Sequence, residues 1–156
     1  MCSSRHRTDG VADPRQKASG VANVCVPVAK RRFTITAVLP GYTAPSNEWR
    51  RRVHSAALDA QTSRGVGYRE SDRLELRIAL FLGQRPLDIH EIDERVKDIL
   101  DALGGRIAGP RSRRRIAPII PLPDQVRRII LEKDTRSLRG RPLGQLTISR
   151  YRRRRA

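Results

Sequence analysis

Four side chains carry types and spacings that suit chemistry on a charged substrate. Glu91 and Asp93 stand two apart, Lys97 follows four residues after Asp93, and Asp124 arrives about thirty residues later. Carboxylates in such a group hold a hard divalent cation such as Mg²⁺ through oxygen and leave coordination sites for water and a phosphate. An ammonium beside them steadies negative charge developing on that phosphate. On spacing alone, the bland alternative of an ordinary helix that opens with carboxylates stays open.

The setting sharpens the contrast. The chain has 156 residues and a formal net charge of +17. Residues 88–105 nevertheless sum to −4, whereas 1–32 sum to +5, 33–87 to +3 and 106–156 to +13. An acidic island in a basic chain implies a polyanion held by the surroundings and a cation held by the island. Nucleic acid is the leading partner for so basic a chain. A membrane surface fits less well, because no long basic amphipathic stretch and no apolar run of 18 residues is present. Aromatic residues make up only 4% of the chain, which argues against a protein that stacks single-stranded RNA bases. The two cysteines, Cys2 and Cys25, form neither a zinc pattern nor a disulfide framework, so a reducing, cytoplasmic setting is expected.

The elements that must position these residues follow from periodicity. Ile92, Val96, Ile99, Leu100 and Leu103 recur at helical spacing, Asp93, Lys97 and Asp101 share another face, and Gly104-Gly105 supplies the stop. Leu74, Leu76, Ile78, Leu80 and Leu82 alternate with Arg73, Glu75, Arg77, Ala79 and Phe81, which predicts a strand over 72–82 with one buried face. Further strands are expected over 33–39, 126–133 and 145–151, and a helix over 47–61 capped by Ser46 or Asn47. Trp49 belongs to its apolar face and His54 is expected at the surface. Prolines exclude 119–123 from a central strand. The order β-α-β-α-β-β predicts a small two-layer α+β domain, a mixed sheet with helices on one face. Residues 1–31 read as a disordered basic leader, 32–151 as the folded domain and 152–156 as a basic tail. Arg111, Arg113, Arg114 and Arg115 in a loop, and Arg152 and Arg153 in the tail, are candidate DNA phosphate contacts that choose no sequence. His90 reads as an exposed histidine rather than a ligand.

The string E-I-D-E-R-V-K-D-I-L-D-A-L-G-G, followed after a loop by D-Q-V-R-R-I-I-L-E-K, resembles the RusA family of Holliday-junction resolvases. Asp93, Lys97, Asp101-Ala102-Leu103, Gln125-Val126 and Glu132-Lys133 carry the resemblance, together with Pro45-Ser46-Asn47 and Trp49. It implies a homodimeric, Mg²⁺-dependent endonuclease that nicks four-way DNA junctions in recombination and repair. By position Glu91 and Asp93 become metal ligands and Lys97 the catalytic lysine. Glu91 and Glu94 depart from the pattern, which has aspartate and asparagine there. Pro123 stands where the family has its third catalytic aspartate, with Asp124 one place late. A catalytically degenerate DNA-binding protein of the same fold is therefore the alternative expectation.

Overall fold

The computed structural model describes residues 31–81, 89–108, 116–134 and 142–153. Four strands and two helices follow one another as β1 (Ile35–Leu39), α1 (Ser46–Arg64), β2 (Leu74–Phe81), α2 (Ile89–Leu103), β3 (Val126–Asp134) and β4 (Gly144–Arg150). One 3₁₀ turn, Pro123–Gln125, precedes β3. The strands form a single mixed sheet in the order β1-β4-β2-β3. β4 runs antiparallel to both its neighbours, and β2 and β3 are parallel. The expected α+β class and element order are thus observed.

The core sits between the sheet and its two helices. Leu74, Leu76, Ile78 and Leu80 of β2 are 0% exposed, and their register partners Leu146 and Ile148 of β4 are equally buried. Ile35, Ala37 and Leu39 extend this apolar face to β1. From above, Trp49, Val53 and Ala57 of α1 and Ile92, Ile99 and Leu103 of α2 close onto it. Each fully buried aliphatic side chain contributes about 1.5–3 kcal/mol, so central strand β2 anchors the domain. The opposite sheet face carries Thr36, Glu75, Arg77, Thr147 and Arg128 and is only partly covered.

Helix ends follow backbone chemistry. α1 starts one residue before the expected span, because Pro45, in extended conformation, occupies the capping position and its carbonyl accepts from the Glu48 and Trp49 N–H groups. Neither Ser46 nor Asn47 is the capping residue, contrary to expectation, although Asn47 Oδ1 accepts the Glu48 N–H at 2.9 Å from within the first turn. α2 ends at Leu103; Gly105 beyond it has a φ of 74°, the left-handed conformation, and Arg106 N–H closes on Asp101 O at 2.8 Å.

Two placements correct the sequence reading. Arg31, assigned to the leader, belongs to the fold: its guanidinium pairs with Asp72 at 2.7 Å and lies over the Phe33 ring. His54 is 6% exposed, not superficial, and its Nε2 lies 3.0 Å from Ala117 O. The ring packs between α1 and the segment that leads to β3. The leader assignment for 1–30, the arginine loop 111–115 and residues 154–156 lie outside the described residues.

Candidate nucleic-acid interface and the acidic helix

The acidic island divides into two sets with different fates. Asp98 faces inward and is 5% exposed. Arg50 of α1 reaches it through Nε at 2.7 Å, and Arg95 one turn earlier on α2 reaches its other oxygen at 3.0 Å. Asp101 pairs with Arg106 at 3.0 Å and lies 3.7 Å from Arg50. These carboxylates fasten α1 to α2. Arg95 itself is sandwiched: its guanidinium lies 3.5 Å from the Tyr42 ring centre and 5.8 Å from that of Trp49. Asp101, which shares a sequence face with Asp93 and Lys97, is thereby committed to structural pairing.

The remaining set is Glu91, Asp93 and Lys97 in the first half of α2. Asp93 and Lys97 are exposed one turn apart, and Glu91 is half-buried. His90 is exposed beside them. Asp124 is also exposed, but it lies elsewhere. The 3₁₀ turn that carries it is fixed by Gln125, 3% exposed, whose Oε1 accepts from Leu122 N–H at 2.9 Å and whose Nε2 donates to Arg69 O and Asp72 O. That places Asp124 at the start of β2 and β3, next to the last turn of α2, where Ile119 and Ile120 N–H both bond Leu103 O. Glu91 and Leu103 are twelve residues apart on one helix, about 18 Å at 1.5 Å per residue. The expected ligand set Glu91, Asp93 and Asp124 therefore does not converge within one chain. Among the described residues no three His, Cys, Asp or Glu side chains gather as a metal centre. The physical reason is the parallel β2–α2–β3 connection. The helix must travel back along the sheet before β3 can start, so residues at its two ends are kept apart.

The same topology sorts positive charge, which sequence order conceals. The start of β2, the start of β3, the end of β4 and the residues before β1 all meet at one end of the sheet, because Leu74 pairs with both Val126 and Arg150 and Ile35 pairs with Ile148. Arg32, Arg73, Arg127, Arg150, Arg152 and Arg153 are exposed there. Arg31, Arg128, Arg150 and Arg152 surround a hollow of about 530 Å³ with Phe33, Thr34, Glu75 and Ser149. Arg150 lies 5.2 Å from the Phe33 ring centre and Arg128 5.6 Å from that of Tyr151. Glu75 holds Arg128, and Asp72 holds Arg31, so the uncompensated charge falls to the exposed arginines. The Arg31 and Arg69 contacts also act on Asp72. Burial alone would push its carboxyl up. The Arg31 hydrogen bond, the Arg69 N–H and both positive charges outweigh this and hold it below the usual carboxylate range. Tyr68, whose hydroxyl donates to Phe33 O at 2.8 Å, is pushed well above the ordinary phenol range by burial and by the Asp72 charge.

Of the expected DNA contacts, Arg152 and Arg153 lie in this basic pole; Arg111, Arg113, Arg114 and Arg115 are outside the described residues. Sequence reading missed Arg32, Arg73, Arg127 and Arg150, which are scattered along the chain and gather only through strand pairing. No described helix is long and apolar enough to cross a membrane. Compared with protein-family models, curated proteins and solved structures, the chain matches none.

Proposed function

We propose that this protein binds DNA through the basic pole of its sheet, as a resolvase-like protein that engages the phosphate backbone of branched DNA. The observation that supports this reading is the gathering of six exposed arginines at one end of the sheet around the Arg31–Arg128–Arg150–Arg152 hollow. Guanidinium groups pair with phosphate oxygens in a fork geometry, and a polyanion that replaces its counterions with them is held in a salt-dependent way. The hollow offers few base-reading groups, so binding follows shape and charge rather than sequence.

A second reading, junction nicking assisted by Mg²⁺, draws on the exposed Asp93 and Lys97 with Glu91 at the opposite pole. Within one chain these stand apart from the basic pole and from Asp124, so the DNA-binding reading is the better supported.

The test is fluorescence anisotropy with a labelled four-way junction and a linear duplex of the same sequence, across a salt series. Affinity should fall steeply with salt. Arg150→Ala with Arg152→Ala should weaken binding to any sequence and lower the salt slope by about two. A flat salt response, or an unchanged slope in the double variant, refutes the interface. Incubating the same junction with and without Mg²⁺ separates the two readings: nicking lost in Asp93→Asn supports the nuclease, and tight binding without nicking supports the binding protein.

A further inference from the structure

We infer that the hollow at the basic pole is a pocket for the terminal nucleotide of a DNA strand, held by its phosphate monoester. This rests on the DNA reading of the same pole and narrows it to one ligand. The floor of the hollow is a polar row laid across the sheet. Glu75 of β2 is in register with Ser149 of β4 on one side and with Arg128 of β3 on the other. Thr34, just before β1, continues the row, because the next residue, Ile35, pairs with Ile148. The neighbours Ile35, Leu74, Leu76 and Ile148 are buried beneath the helices, so alternation puts the row on the helix-free face. Arg31, Phe33, Arg150 and Arg152 complete the walls.

The charge left over in the hollow identifies the ligand. Both Nη groups of Arg31 donate to Asp72, which neutralises that guanidinium. Glu75 accepts from Nε and Nη2 of Arg128, which neutralises the second pair and leaves Nη1 as a donor. Among the described residues Arg150 and Arg152 have no carboxylate partner. Four arginines against Asp72 and Glu75 leave a surplus of two positive charges. An internal phosphodiester brings one negative charge. A phosphate monoester brings close to two at neutral pH, with three strong acceptor oxygens. Arg128 Nη1 and the hydroxyls of Thr34 and Ser149 are donors for those oxygens.

Size and stacking add the nucleoside. The hollow holds about 530 Å³, more than one phosphate fills and within the range of small-molecule sites, about 300–1,000 Å³. The guanidiniums of Arg31 and Arg150 lie over the Phe33 ring, 4.7 and 5.2 Å from its centre. Arg150 is itself exposed, so the face turned from the ring is open to a base, which stacks on it without being read. A continuous duplex keeps its bases paired and offers only diesters, so a strand end or a nick is the feature that fits.

Fluorescence anisotropy of the full chain tests this with one labelled duplex whose short single-stranded 5′ overhang ends in phosphate or in hydroxyl. The phosphate end should bind about tenfold tighter. Deoxyadenosine 5′-monophosphate should erase that preference and deoxyadenosine should not. Arg128→Gln leaves Glu75 unneutralised and should bring the ratio of the two affinities close to one. Ser149→Ala, which keeps both ion pairs, should lower the ratio about threefold, and circular dichroism checks that each variant folds. Equal affinity for the two ends overturns the inference, as does a ratio that neither variant moves. Displacement by the mononucleotide without any preference between the ends assigns the hollow to a free nucleotide and equally overturns it. If the ends bind alike but binding still falls steeply with salt, the inference fails and the proposed interface stands. A flat salt response with both ends removes the interface itself.

Discussion

Removing the Asp98 carboxylate tests whether the inner half of the acidic helix serves architecture. Asp98 receives Arg50 at 2.6 and 2.7 Å and Arg95 at 3.0 Å, with side-chain exposures of 7%, 17% and 11%. At such burial the pairs are little screened, and deleting one partner leaves uncompensated charge in the α1–α2 interface. Breaking a buried pair in this way costs about 3–5 kcal/mol, against a total stability of roughly 5–15 kcal/mol for a domain. Asp98→Ala should therefore lose about 3 kcal/mol, and Tm should fall by roughly 10 °C. Arg50→Ala should lose less, because Arg95 still holds Asp98, and the two changes should couple by about 1–3 kcal/mol. Urea unfolding followed by Trp49 emission is the assay. Trp49 is the chain's one tryptophan, is fully buried and lies beside Arg95, so it reports this junction. A loss below about 1 kcal/mol in Asp98→Ala, or additive single losses in the double variant, would refute a structural role and free Asp98 for chemistry.

Four other outcomes follow from the geometry. Tyr68→Phe removes the 2.8 Å bond to Phe33 O and should cost about 1 kcal/mol. Since the folded phenol holds its proton more tightly than the unfolded one, the stability this contributes is present below about pH 10 and is lost as pH rises beyond it. Tyr68→Phe should flatten that alkaline decline in a pH series of urea midpoints. Asp72 behaves in the opposite sense: its folded carboxyl lies below the ordinary range, so its stabilisation is present above about pH 4 and disappears on acidification. Asp72→Asn should shrink the loss of Tm between neutral pH and pH 3, measured by calorimetry. Gly144→Ala should destabilise the protein by several kcal/mol, on the order of the largest single-site losses, because the added methyl would collide with the Ala79 carbonyl where β4 enters the sheet; a thermal melt reads this. Gln125→Ala should release the 3₁₀ turn and raise hydrogen exchange at Leu122 and at the start of β3, since three backbone bonds depend on that amide.

The sequence by itself determined the elements. Period-two alternation in 74–81 needs a strand because every second side chain must leave water, and the 3.6-residue recurrence from Ile92 to Leu103 needs a helix for the same reason. Gly105 announced its left-handed stop, and the prolines of 119–123 kept that segment out of the sheet. Trp49 was legible as core because it falls on the apolar stripe of α1. The tertiary structure decided the rest. Local pattern says nothing about which strand lies beside which, so the insertion of β4 between β1 and β2 could not be read, nor the clustering of Arg32, Arg73, Arg127 and Arg150 that follows from it. The fate of the carboxylates was hidden for a related reason. Asp93, Asp98 and Asp101 look alike on a helix, and only the folded arrangement, with Arg50 approaching from α1 beside Arg95 and Arg106, commits the last two to ion pairs. Asp124 is some thirty residues from Glu91 in the chain whatever the fold. The parallel crossover then turns that separation into opposite ends of the sheet, since a helix joining parallel strands must span the full length it retraces.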